Sequence, residues 1–469
     1  MKGKQAIRNI GYMSIAQMVV MLLSIGMSVF VPKFVGVTEF SYWQLFIFYA
    51  SYTGCLHLGL NDGIYLSHGG KQLSDKDKDS ICRQLWCSIC IQAIILVALY
   101  IILFHVESST DRQMVYLYIC IYAIINNIFN YCASVLQSIN QIKKYSICLL
   151  YDKIFVILYL IIILICQKKN YDFLIGGYIL GRTLALSLLL YYYRPIFFRS
   201  VQIFKLSTIK EMKSNILVGY NLMIANIAST FILGVGRFVV DLHYPIEVFG
   251  KVSFAFTLTG FVLALISQVG NSVFPVLAAK GVDFHQIVFP SLERLLQLVL
   301  PISYLAYPII HYLICYYLPQ YRDSLSYFII LFPLCVFEAK ISMLYNTYMK
   351  VLRLEHKLLI ANIISVIISS CFVLLSYHIF QNIYLIALSL VIAVIFKAFY
   401  LRRLISKCLN IIIMRPIRDL IVSIMCVLPL LLESLLLWQQ ITLIGITMIM
   451  YESIYYKDLM NTIKKIFIK

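Results

Sequence analysis

No charged residue falls between residues 11 and 31, and the chain repeats that design almost to its end. Apolar blocks of about twenty residues alternate with short polar connectors, and about twenty helical residues cross a hydrocarbon core about 30 Å thick. A membrane β-barrel would instead alternate polarity over strands of about ten residues. Backbone groups in lipid must pair within their own segment, so blocks of this length predict helices. About fourteen spans follow from the pattern, near 10–32, 40–60, 81–104, 113–137, 145–166, 172–193, 215–237, 250–274, 295–317, 324–347, 358–379, 383–401, 419–437 and 439–456. The expected fold is all-α, a polytopic membrane protein. The first apolar run follows Lys2, Lys4 and Arg8. It is too long for a cleaved signal peptide and no small-residue cleavage pattern follows, so it is expected to stay as the first helix.

The connectors then set the orientation. Lys and Arg concentrate at 1–8, 71–83, 143–144, 194–213, 280–294, 350–357, 397–418 and 457–469. The alternate connectors hold only Lys33, Arg112, Lys168, Lys169, Lys251 and Arg322. Basic residues stay on the cytoplasmic side, which places both termini there and requires an even number of spans. The same asymmetry accounts for the net charge of +18. Spread over short loops between apolar blocks, it marks topology and not a nucleic-acid surface. With 61% hydrophobic and 13% charged residues, the chain departs from soluble domains, which carry about 25% charged residues.

Catalytic and metal motifs are missing. There is no P-loop, no H-E-x-x-H and no G-x-S-x-G, so no cofactor and no enzymatic activity are expected from these. Most of the 13 cysteines lie inside apolar blocks. Cys87 and Cys90 form a lone C-x-x-C within a helix, which reads as packing and not as a zinc site. The mixed-charge stretch 72–80 reads as a solvated loop without a site.

A short internal match suggests duplication. Val31-Pro32-Lys33-Phe34-Val35 and Val235-Gly236-Arg237-Phe238-Val239 both read V-x-[K/R]-F-V and both leave the bilayer on the outer face. With the long basic connector at 194–214, this predicts two parallel six-helix lobes around a central cavity, 1–200 and 201–405. Residues 406–469 would add two accessory helices and a basic cytoplasmic tail. Secondary transporters commonly place their substrate between such repeats.

Three stretches also resemble a known family. Phe34-Val35-Gly36-Val37-Thr38-Glu39-Phe40-Ser41-Tyr42-Trp43 is similar to an outer turn carrying a glycine, an acid and aromatics. Gly59-Leu60-Asn61-Asp62-Gly63-Ile64-Tyr65-Leu66, followed by Gly69-Gly70-Lys71, looks like a "DG…GG" cytoplasmic turn. Arg237-Phe238 and then Glu247-Val248-Phe249-Gly250-Lys251-Val252-Ser253-Phe254-Ala255 look like a midpoint signature. Together they resemble the polysaccharide transporter family of flippases, the O-antigen and exopolysaccharide type. That family shares a superfamily with multidrug exporters and the peptidoglycan lipid flippase. The resemblance implies a flippase moving an undecaprenyl-diphosphate-linked oligosaccharide across the bacterial cytoplasmic membrane. Alternating access would do the work, driven by an ion gradient or the membrane potential and not by ATP. It also implies a monomer among membrane lipids, with polysaccharide polymerase machinery as a candidate partner.

A diphosphate crossing hydrocarbon needs a cationic, hydrogen-bonding groove. Arg suits phosphate through its planar fork, and intramembrane cations are the first place to look. Arg182 lies near the middle of the sixth span, with no acid three or four residues away. Lys153 sits in the fifth span beside Asp152, but neighbours on a helix point apart. Lys340 lies in the tenth span, with Glu338 on a different face. Arg237 has Asp241 four residues on as an intrahelical partner, and Lys251 stands at the outer end of the eighth span. The competing reading for each is a structural ion pair or a snorkelling side chain. Asp62, Asp241 and Glu338 are candidates for coupling to Na⁺ or H⁺, although Asp62-Gly63 also reads as a tight turn. Asn126, Asn127, Asn130, Asn221, Asn226, Gln268 and Asn271 suit hydrogen bonds to sugar hydroxyls or, more commonly, to neighbouring helices.

Two other functions fit a polytopic helical chain. A cation-coupled exporter of drugs or small molecules shares the superfamily, but buried cations favour an anionic head over a cationic drug. A polysaccharide polymerase or glycosyltransferase needs large outer loops or a paired acidic site, whereas the outer acids here are scattered.

Overall fold

In the computed structural model the described residues are 2–70, 72–199, 202, 205–278, 282–411, 417–432 and 436–467. The described side chains exclude 2–14, 265, 267–278, 282–283, 452 and 455–467. Lys71 of the glycine motif and the side chains of Gln268 and Asn271 therefore lie outside them. No strand occurs among the described residues. The helices are α1 (Lys2–Phe34), α2 (Val37–Ala50), α3 (Leu60–His68), α4 (Asp75–Val106), α5 (Thr110–Ser138), α6 (Ile142–Ile165), α7 (Tyr171–Tyr192), α8 (Arg194–Phe197) and α9 (Leu206–His243). They continue as α10 (Ile246–Ala278), α11 (Val282–Val299), α12 (Tyr307–Tyr312), α13 (Ser324–Leu331), α14 (Leu334–Lys340), α15 (Asn346–Val351), α16 (Glu355–Leu375), α17 (Ile383–Leu409), α18 (Arg418–Leu431) and α19 (Leu437–Phe467).

Most of the expected spans coincide with helices, and the chain is a multi-pass membrane protein. Ten described helices are long and apolar enough to cross a bilayer. A bent pair, Ser324–Leu331 with Leu334–Val351 at 42°, makes an eleventh. The second, thirteenth and fourteenth expected spans are the ones not reached. The second is broken between α2 and α3, α18 has 14 described residues, and α19 counts as a short apolar helix over its described side chains, Leu437–Tyr451. Large apolar side chains stay uncovered on α4, where Ile94, Val97, Ile101 and Ile102 are all exposed. That surface suits lipid and would be unusual in water.

Contacts divide the chain into two units, Met1–Ile227 and Ala228–Lys469, with the division inside α9. In the first unit, glycines set the helix approaches. Gly59 and Gly63 have G-x-x-x-G spacing, and α3 packs there on α9. A Cβ on Gly63 would strike the Asn215 carbonyl, and one on Gly219 would strike the Gly59 carbonyl. Gly177 and Gly181 repeat the spacing on α7. A Cβ there would strike the Tyr159 ring or the Val156 side chain and the Asp152 carbonyl on α6. Without a driving force between apolar helices in lipid, such backbone contact is a main source of association.

Two local expectations are corrected. Asp62 and Gly63 do not form a tight turn; they lie in the first turns of α3. The bend comes earlier, at Leu58 and Gly59, whose φ values of 51° and 90° are left-handed. Gly59 takes that conformation at no steric cost, and this frees Gly63 for helix packing. Nor is 72–80 all loop. Ser74 caps α4, accepting from the Asp77 amide at 3.2 Å, while the Asp77 carboxylate accepts from the Ser74 amide at 2.9 Å. This reciprocal box satisfies two otherwise unpaired helix-end donors.

In the second unit, α14 runs through a π-helical turn, Ile341–Tyr345, into α15. The wider turn places Lys340 and Tyr345 on the same charged network, described below. Such turns often mark functional or strained positions.

Candidate functional site

The close approach of α6 and α7 brings two of the expected cations together. Gly181 lets the α7 backbone lie against the Asp152 carbonyl, and the next residue, Arg182, then meets the Asp152 side chain. The contact is Nη1 to Oδ2 at 3.3 Å, with both side chains largely buried. Arg182 Nε and Nη1 make no hydrogen bond among the described residues. The guanidinium lies over the Phe129 ring of α5, 4.4 Å from its centre. Lys153 turns the other way, as adjacent helix positions require, and its ammonium donates to the Tyr178 hydroxyl at 3.0 Å.

Aromatic and amide groups extend this cluster. Phe46, Tyr122 and Tyr178 pack ring to ring with centres 5.4 to 6.0 Å apart. The Tyr122 hydroxyl donates to Asn126 Oδ1 at 3.5 Å. Asn126 and Asn127 then donate to the Thr53 hydroxyl and carbonyl at 3.2 and 3.0 Å. Asn127 also donates to Gln92 at 2.9 Å. Thr53 opens the 3₁₀ turn Thr53–His57, where the α2–α3 span is broken. These amides thus satisfy backbone freed by the break, as broken membrane helices require. With Arg182, Lys153 and one carboxylate, the cluster is net positive, suited to a bidentate anion.

The other candidates lie elsewhere. Lys340 Nζ meets Asp419 Oδ2 at 2.5 Å, with the two side chains 1% and 6% exposed. Arg402 Nε meets Glu293 Oε1 at 2.6 Å, and the Tyr345 hydroxyl donates to the same carboxylate at 3.0 Å. Gln297 donates to Asp419 at 3.4 Å. This network ties α11, α14, α17 and α18 together. Arg418 lies over the Tyr451 ring of α19 at 5.6 Å. Arg237 donates to the Ser253 hydroxyl at 3.2 Å and lies beside Phe249 and Phe256, and Asp241 is buried one turn further on. Lys251 pairs with Asp323 at 2.5 Å in an exposed position. Asp62 stays in the first turn of α3, part-exposed. Glu338 is the carboxylate felt by Lys397, whose ammonium donates to Ser229 at 3.1 Å.

Lys397, Arg402 and Arg418 were expected as cytoplasmic loop charges; all three are buried. Asp152, Glu293 and Asp419 were not among the expected site residues. Each pairs with a cation remote in sequence, and only Asp152 carried a signal, its place beside Lys153 inside an apolar block.

Comparison with known proteins gives two results. A family model described as polysaccharide biosynthesis protein matches residues 6–279. Among solved structures, the lipid II flippase MurJ in an inward closed conformation is similar with a TM-score of 0.71 at 13% identity, over 96% of this chain and 99% of that one. An inward-facing multidrug resistance MATE family transporter of the MOP superfamily gives 0.60 at 15% identity, over 84% and 98%. The outward-facing form of a MATE family transporter gives 0.53 at 14%, over 85% and 96%. These likenesses show the fold. Comparison with curated protein sequences finds no match.

Proposed function

The chain belongs to the polysaccharide biosynthesis protein family, and from that premise we propose that it is a flippase for an undecaprenyl-diphosphate-linked oligosaccharide. The observation that carries the reading is Arg182, buried in a membrane helix bundle with two of its nitrogens unbonded and a second cation, Lys153, one helix away. A buried guanidinium with spare donors is expensive to keep, and a diphosphate oxygen pair fits it. Tyr122 and Tyr178 offer flat faces and hydroxyls beside it for the first sugar. The protein would work in the bacterial cytoplasmic membrane with both termini inside, as a monomer, drawing on an ion gradient or the membrane potential. No catalytic chemistry is needed. The O-antigen or exopolysaccharide type of repeat unit is carried over from the family resemblance. The net positive charge speaks against the rival reading, an exporter of cationic drugs.

The test is translocation of a fluorescent undecaprenyl-diphosphate oligosaccharide in proteoliposomes holding only this protein, without ATP. Protein-dependent flipping is expected, faster under one imposed gradient. R182A is expected to stay folded and lose flipping, while R182K keeps part of it because the charge survives without the fork. Wild-type flipping by R182A would overturn the assignment of the site, and cation efflux by a protein that flips no lipid would favour the exporter.

A further inference from the structure

Asp152 is the carboxylate that the proposed reading leaves without a task, and its geometry differs from that of the other buried acids. Lys340 with Asp419 and Arg402 with Glu293 close at 2.5 and 2.6 Å. Asp152 stands 3.3 Å from Arg182, the longest of the three contacts. A contact of that length and alignment is a loose one for a charge-assisted pair, which normally closes to about 2.7–2.9 Å. The cation does not depend on it for position, because the Phe129 ring lies 4.4 Å from the guanidinium and holds it from α5. Lys153 adjoins Asp152 in sequence but is engaged with Tyr178.

Resting on the reading above, we infer that Asp152 is a built-in stand-in for the diphosphate: it occupies Arg182 while the site is empty, yields it when substrate enters, and competes for it again to drive release. A carrier must bind its cargo strongly enough to accept it and weakly enough to let it go. A tethered carboxylate beside the binding guanidinium sets that balance within one site, since both anions seek the same fork. The loose contact is what a displaceable occupant needs; a closed pair like that of Lys340 would shut the substrate out. Asp152 is thus a positioning residue that acts through Arg182.

The inference predicts a split between affinity and turnover. Binding is measured in nanodiscs with undecaprenyl diphosphate and, separately, with inorganic pyrophosphate; flipping is measured in proteoliposomes. D152N keeps the side-chain shape and removes the competing charge. It is expected to bind both ligands about tenfold tighter, within the usual range for coupled sites, and to flip more slowly because release is delayed. D152E restores the charge and is expected to return both quantities toward wild type. A merely structural role would weaken binding and flipping together. Unchanged or weaker binding by D152N, tighter binding with undiminished flipping, or tightening confined to the lipid would each overturn the inference. R182A separates the two ideas. If R182A binds like wild type, the site reading itself fails; if R182A loses binding while D152N leaves it unchanged, only the role of Asp152 fails.

Discussion

Two buried charge clusters sit in the two units, and they are built on opposite terms. In the second unit, Lys340 and Arg402 each meet a carboxylate at close range, and the exposures of those side chains run from 1% to 6%. In the first unit, Arg182 meets Asp152 at 3.3 Å, and Lys153 turns instead to the Tyr178 hydroxyl. The first arrangement closes its pairs tightly and joins helices. The second holds its ion pair at longer range, which suits a site that expects a ligand. Burial alone does not separate structural from functional cations here, since Arg182, Lys340 and Arg402 are all largely buried. The distance at which each pair closes does.

The largest effect expected from breaking this contrast is at Asp419. D419A leaves Lys340 buried without its carboxylate, which costs about 3–5 kcal/mol when a buried pair is broken. A large drop in the detergent melting temperature is the readout, and a wild-type melt would erase the distinction between the clusters. The double change K340M with D419L should restore much of the stability, since apolar replacement of both partners is often neutral. Next comes G181V, which forces α7 away from Val156 and Asp152. Overpacking of this kind costs about 1–3 kcal/mol, and diphosphate binding should fall along with the melting temperature. R182A should sharpen the comparison from the other side, abolishing flipping with a smaller loss of melting temperature than D419A. The smallest effect is expected at Ser74. S74A loses the cap of α4, worth about 1 kcal/mol, with flipping unchanged in proteoliposomes.

How much of this could be read beforehand depended on whether a signal ran along one helix or between two. Arg182 was visible as a mid-span cation because depth is a matter of counting residues within an apolar block. Its partner was not, because Asp152 meets it across two helices and nothing in the linear spacing links them. The same holds for Asp419 and Glu293. Lys397, Arg402 and Arg418 were misplaced because loop cations and buried cations near a helix end look alike in a charge count; only tertiary carboxylates decide between them. The Asp62-Gly63 pair misled for another reason. Asp-Gly is a turn signal, but Gly59-x-x-x-Gly63 is also a helix-packing signal, and the contact with α9 prevailed. The Gly177–Gly181 spacing on α7 was not read as a packing signal, because only the contact with α6 shows what it does.

The Lys340–Asp419 pair also bears on how the chain is made. The two residues are 79 positions apart, so the lysine enters the membrane well before its carboxylate has been synthesised. Through that interval the ammonium in α14 lacks the carboxylate it pairs with in the finished fold. The half-built protein therefore has a defined moment of vulnerability that ends only when α18 arrives. A ribosome stalled after α17, or a gene cut there, would not release a smaller working carrier.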